Sequence, residues 1–270
     1  KTMANKLFPT LVIGVGAAAV IAIAWFIYSS EQKAQIEPVT AIQVVPPPPV
    51  TQEAPPVIVY DDVAEPEPII IEPIVEIVIA PAALENSDPQ VLLAVADFSP
   101  LLAQWLLPEE QLRKWVLAVD KVANGKLPKR YRPIDYPMSK FAVENGADEA
   151  VLSDKNYPRM NDLIAATITI DPQLLARYYQ NWLPILEKAY DEQGRSDSFD
   201  QRFLQAISQI LAASPLTEEP MLVRPSVLYR YADSDQENAS DVEKLLWRMG
   251  PDNAEKVQNF LREFRNQLSR

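Results

Sequence analysis

A chain of 270 residues with neither cysteine nor histidine excludes disulfide staples, thiolate zinc sites, cysteine nucleophiles and histidine general bases. Its net charge of −12 argues against a basic nucleic-acid-binding face. Residues 31–88 carry −10 of that charge while residues 89–270 carry only −4, so the acidity belongs mainly to one stretch.

Leu7–Tyr28 is a run of 22 residues without a charged side chain. As a helix it measures about 33 Å, enough to cross the ~30 Å hydrocarbon core of a bilayer. Trp25 and Tyr28 fall at one end, where amphipathic rings favour the interface. A cleaved signal peptide has a shorter apolar core followed by a small-residue site, so residues 1–30 read as a single-pass anchor. Lys1 and Lys6 precede the run. Positive residues stay on the cytoplasmic side, which places the N-terminus inside and the remainder in the periplasm. Gly14, Ala18 and Ala22 recur every four residues, a spacing that lets membrane helices pair closely and would allow a homodimer. The plainer alternative is that such residues are common in membrane helices.

Residues 31–88 contain 11 prolines and no glycine. Proline fixes φ and lacks the backbone donor, so the stretch reads as a stiff, extended linker. Pro46–Pro49 doubles as a potential ligand for an aromatic groove. The strip Ile69–Ile79 holds eight β-branched residues interrupted by Glu72, Pro73 and Glu76. It reads either as drifting linker or as a strand that pairs with a partner or packs on its own domain.

Residues 89–270 read as one helical domain of about seven helices with at most a minor hairpin. Asp88-Pro89, Ser99-Pro100 and Asp171-Pro172 pair a cap residue with a proline that loses nothing at a first helical position. Ser198 and Ser240 begin capping boxes with Gln201 and Glu243. Gly125, Gly194 and Gly250 stand at helix ends. Leu112, Trp115, Val116, Val119 and Val122 mark one apolar helical face, as do Phe199, Phe203, Ala206, Ile207 and Ile210. Glu109–Arg113 and Glu110–Lys114 have the spacing of helical ion pairs. Pro184 should kink the helix that starts at Pro172. Phe141–Val143 and Ala150–Leu152 flank Asn145-Gly146, a hairpin signal. Met221–Tyr231 contains Pro225 and reads as an edge strand or ordered loop. Trp105, Trp115, Trp182 and Trp247 are expected in the core.

No nucleophile elbow or phosphate loop is present. Glu109/Glu110, Asp148/Glu149 and Glu218/Glu219 could supply paired carboxyls for glycan hydrolysis, but such pairs are usually solvated surface. Two basic-aromatic clusters fall in connections: Arg130, Tyr131 and Arg132, and Arg224, Tyr229, Arg230 and Tyr231. Arg forks match carboxylates and phosphates, and Tyr adds rigid contact area. These are the candidate partner-binding residues; the alternative is that they pin loops to helices.

Ser99-Pro-Leu-Leu-Ala-Gln-Trp-Leu, Asn156-Tyr-Pro-Arg159, Val227-Leu-Tyr-Arg-Tyr-Ala-Asp233 and Leu245-Leu-Trp-Arg-Met-Gly-Pro251 resemble an uncharacterised bacterial membrane-protein family labelled domain of unknown function 3014. The resemblance spans roughly Ser87 to Arg270 and includes an anchor and proline-rich connector. It implies a Gram-negative envelope setting and no catalytic residues, metal or cofactor. The expectation is a non-enzymatic scaffold domain at the inner membrane that binds an envelope protein and no nucleic acid. The alternatives are a carboxylate-dependent cell-wall hydrolase or modifier and an accessory subunit of a transport or secretion complex.

Overall fold

The computed structural model describes residues 77–144, 149–216 and 218–269. The apolar run with Gly14, Ala18 and Ala22, the proline-rich stretch up to Glu76 and the Asn145-Gly146 turn lie outside the described residues. Among the described residues no helix is long and apolar enough to cross a membrane.

The chain enters the fold along the last residues of the Ile/Val strip. Ile77, Val78 and Ala80 pack against the core. The Val78 amide donates to the Tyr178 hydroxyl at 2.9 Å, and the Trp182 indole donates to the Val78 carbonyl at 3.1 Å. These residues therefore belong to the packed structure rather than to free linker.

The described residues form nine α-helices, a 3-10 helix and a four-stranded sheet. In order the helices are α1 (Asp88–Phe98), α2 (Pro100–Ala103), α3 (Gln111–Ala123), α4 (Asn161–Ile168), α5 (Pro172–Asp191), α6 (Phe199–Ala212), α7 (Ser234–Asn238), α8 (Asp241–Met249) and α9 (Pro251–Leu268). The 3-10 helix, Asp154–Met160, leads into α4. The strands are β1 (Val143–Glu144), β2 (Glu149–Leu152), β3 (Met221–Val223) and β4 (Arg230–Tyr231), antiparallel in that order.

Helices α3, α5, α6 and α9 enclose the main core. Trp182, Tyr178, Tyr179, Tyr190, Phe199, Phe203 and Phe264 are fully buried there. Tyr179 and Phe203 lie 4.7 Å apart and Phe203 and Phe264 6.0 Å apart, contacts worth about 0.5–1.5 kcal/mol each beyond area burial. Asp120 is fully buried in α3 and accepts from Arg202 at 2.9 Å and Arg195 at 2.8 Å. This ties α3 to α6 and to the loop before it.

Several local expectations are corrected. Asp88 does not cap its own helix. Its carboxylate accepts instead from the amides of Glu110 and Gln111, each at 2.8 Å, and so caps α3 from a distance. That geometry places Glu109 and Glu110 at positive φ, 69° and 53°, so α3 starts at Gln111 rather than near Pro108. The expected i,i+4 pairs are replaced: Arg113 reaches Glu192 at 2.6 Å and Glu110 at 3.5 Å, and Lys114 donates to the Pro108 carbonyl. Pro184 does lie inside one helix, which continues past it to Asp191. Ser99, Asp171, Ser198 and Ser240 do cap as read.

The sheet exceeds a minor hairpin. Strands β1 and β2 do pair antiparallel, with Val143 opposite Leu152, but β2 also pairs with β3, with Ala150 opposite Leu222. Strand β3 is therefore internal, and Pro225 follows it instead of interrupting it. The edges are β1 and β4, with Tyr231 of β4 opposite Leu222. Ala150, Leu152, Leu222 and Tyr231 form a second small core, packed by Phe141, Tyr157 and Trp247.

Candidate functional site

The two basic-aromatic clusters meet different fates. Arg130 and Tyr131 follow α3 and line a concavity of about 510 Å³ with Lys121, Lys126 and Leu127. Tyr131 is 69% exposed at φ 56°, a backbone conformation uncommon for a bulky residue. Arg132 turns aside to Asp135 at 2.6 Å. In the second cluster the Arg224 guanidinium lies over the Tyr229 ring at 5.4 Å. Arg230 is exposed on β4. Tyr231 is buried, its ring edge-on to Trp247 at 5.6 Å with Arg248 at 5.9 Å from its centroid. In the second cluster Tyr231 thus packs the sheet on α8, while Arg130 and Tyr131 of the first line a cavity.

A different groove arises where two of the motifs quoted above, Asn156–Arg159 and Leu245–Pro251, meet. Asn156 is buried and uses its amide to hold residue 142: it donates to the Ala142 carbonyl at 2.7 Å and accepts from the Ala142 amide at 2.9 Å. Arg159 donates to the Ser139 carbonyl and stands over Phe141 at 5.6 Å. The Tyr157 ring between them lies against Gly250, whose φ of 83° and ψ of 160° suit glycine almost alone. Asn253 then donates to the Tyr157 carbonyl at 3.1 Å, locking α9 to the 3-10 helix. The polar side chains of these motifs thus point inward as fasteners.

What they leave facing outward is the groove. It has a volume of about 400 Å³ between the connection 213–220 and helices α8 and α9, with Tyr157, Trp247, Leu246 and Ala254 along it and Glu218, Glu219 and Glu255 at its edge. The start of this connection is held by both helices. The Trp247 indole donates to the Ser214 carbonyl at 2.8 Å, and Gln258 donates to the carbonyls of Ile210 and Ala213, each at 2.9 Å. Burial first, then the negative charge of Glu219 and Asp154, holds the Tyr157 phenol above its ordinary range. It therefore remains a neutral hydroxyl at physiological pH.

Trp115 and Trp182 are core as expected, whereas Trp105 and Trp247 are only partly buried. Trp247 was the cue that pattern reading passed over: an apolar helical position hides whether its outer ring edge is covered. Glu218/Glu219 stood out as a carboxylate pair, but Glu255 and Gln258 come from α9 and join them only through the fold. All three carboxylates are exposed. Among the described residues no group of acidic side chains could hold a metal ion.

One family model, described as Protein of unknown function (DUF3014), matches residues 111–265. The matched span contains the groove, the sheet and both basic-aromatic clusters. No curated protein and no solved structure matches the chain.

Proposed function

The chain belongs to the DUF3014 family of proteins of unknown function, and from that premise we propose that it is a membrane-tethered protein-interaction domain rather than a catalyst. The observation that carries this reading is the groove beside Trp247. It is held open by hydrogen bonds from Trp247 and Gln258, and its outer surface offers a partly exposed indole, a phenol and apolar side chains. Preformed, aromatic-lined concavities of this size suit recognition, and aromatic anchors dominate binding energy at interfaces. Retaining hydrolysis of glycans requires two carboxyls about 5 Å apart, with the acid's pKa raised. Glu218, Glu219 and Glu255 are instead exposed at the edge, which favours recognition over chemistry.

In this reading Leu7–Tyr28 spans the inner membrane once, the proline-rich stretch sets the reach, and the helical domain works in the periplasm of a Gram-negative envelope. Its support is the length of the apolar run and the lysines before it.

Two measurements test the proposal. The chain has no cysteine, so Thr51→Cys carries a unique label. An impermeant thiol reagent should reach it from the periplasmic side of intact cells, and labelling only after lysis would overturn the topology. A photo-reactive residue at Leu216, which lines the groove, should form a discrete adduct with an envelope protein in growing cells. The same residue at the exposed Gln180 on α5 serves as the control. Equal, diffuse adducts from both positions would overturn the interaction reading.

A further inference from the structure

Resting on that interaction reading, we propose that the groove takes an extended segment of a partner protein in which lysine or arginine stands beside an apolar or aromatic anchor. Two of the groove's side-chain donors are committed inward: the Trp247 indole N–H goes to Ser214 and the Gln258 amide N–H groups go to Ile210 and Ala213. Pro215, Pro220 and Pro251 along the groove have no backbone N–H to offer. What faces outward is acceptor: the carboxylates of Glu218, Glu219 and Glu255. The Tyr157 hydroxyl is retained as a neutral group able to donate or accept. A surface rich in acceptors and poor in donors is matched by donor-only side chains, and lysine and arginine are those.

Charge points the same way. No lysine or arginine lines this groove, while three acids do. Trp247, partly exposed on the groove, adds an attraction for a cation that comes within about 6 Å over its ring. The apolar part of the occupant follows from Leu246, Ala254 and the aromatic edges. The space of about 400 Å³ fits a few side chains of an extended segment rather than a whole helix. An acidic or glycan ligand has the wrong sign or lacks the cation.

The test uses the full chain in mild detergent and short fluorescent peptides. One alternates leucine with lysine, a second replaces lysine with glutamate, and a third replaces leucine with alanine while keeping lysine. Anisotropy should show saturable binding of the leucine–lysine peptide, weaker binding of the alanine–lysine peptide and none of the glutamate peptide. The charge-reversed variant Glu218→Lys, Glu219→Lys and Glu255→Lys alters only exposed side chains. It should weaken the leucine–lysine peptide by about tenfold, since each exposed pair contributes only a fraction of a kcal/mol and three are reversed. Equal binding of lysine and glutamate peptides, or no effect of reversal, overturns the cationic occupant. Such a result leaves the interaction reading standing if Leu216 still yields its discrete adduct in cells. Loss of that adduct overturns both.

Discussion

Tyr157 and Gly250 are in contact so close that a Cβ on Gly250 would stand 2.5 Å from the ring's Cγ. Gly250 ends α8 and precedes α9, while Tyr157 sits in the 3-10 helix, so this one contact sets the angle at which the groove's walls meet. Gly250→Ala should destabilise the domain by about 2–4 kcal/mol, from steric overlap together with a backbone region that alanine resists. Adding Tyr157→Ala removes the overlap and should recover part of the loss beyond additivity. Urea unfolding of the single and double variants reads the coupling; strict additivity would show that the ring is not the obstacle.

Asp120 presents a buried charge with two arginine partners, Arg202 well covered and Arg195 partly exposed. Asp120→Asn leaves Arg202 without its counter-charge. Breaking a buried pair from one side costs about 3–5 kcal/mol, so the midpoint of urea unfolding should drop sharply. Arg195→Ala, at the exposed side of the same carboxylate, should cost about 1 kcal/mol or less. Similar losses from both would contradict the assignment of Arg202 as the principal partner.

Asp88 caps a helix that begins more than twenty residues later, through the amides of Glu110 and Gln111. Asp88→Ala should cost about 1 kcal/mol, the usual value of an N-cap. Glu110→Gly, at φ 53°, should be neutral or stabilising by up to about 1 kcal/mol because glycine adopts this region without strain. Thermal unfolding of the two variants should therefore move in opposite directions or leave the second unchanged.

This cap also shows how far the sequence can be read. Asp88-Pro89 and Ser99-Pro100 look equivalent locally, and Ser99 behaves as read. Asp88 does not, because the partner amides come from a turn whose position depends on tertiary packing. The same limit applies to β3. Met221–Tyr231 reads as an edge strand or ordered loop because it contains Pro225, yet its first residues form β3, which β2 and β4 flank on both sides. Helical faces such as Phe199, Phe203 and Ile207 were legible because a 3.6-residue period reports burial directly. The site was less legible. Arginine and tyrosine clusters advertise binding by residue type, but Tyr231 is buried against Trp247 and Arg224 lies over the Tyr229 ring at the surface. The groove instead gathers Tyr157, Trp247 and Glu255 from three elements, and no spacing rule links them.

Alkaline pH offers a test of the core. The phenols of Tyr178, Tyr179 and Tyr190 are held above their ordinary range, first by burial and then by hydrogen bonds to Asp97, Asp200 and Asp197. That of Tyr190 is pushed up to about 12. The folded state binds these protons more tightly than the unfolded chain, whose phenols titrate near about 10. Stability from this source is therefore fully present below about pH 10 and is lost as pH rises through the folded value. Phenolate absorbance and circular dichroism followed together should show these tyrosines ionising in the same step as unfolding. Their titration with the helical signal intact would contradict the burial argument.

The central claim is that the groove beside Trp247 is where this domain meets a cationic partner. Its most direct test is the yield of the photo-cross-linked adduct from Leu216 in growing cells, compared between the natural chain and the Glu218→Lys, Glu219→Lys, Glu255→Lys variant at equal expression. The account predicts one discrete adduct in the natural chain, reduced by about tenfold when the edge charges are reversed. An adduct of equal yield in both chains, or a pattern no different from that at Gln180, would contradict it.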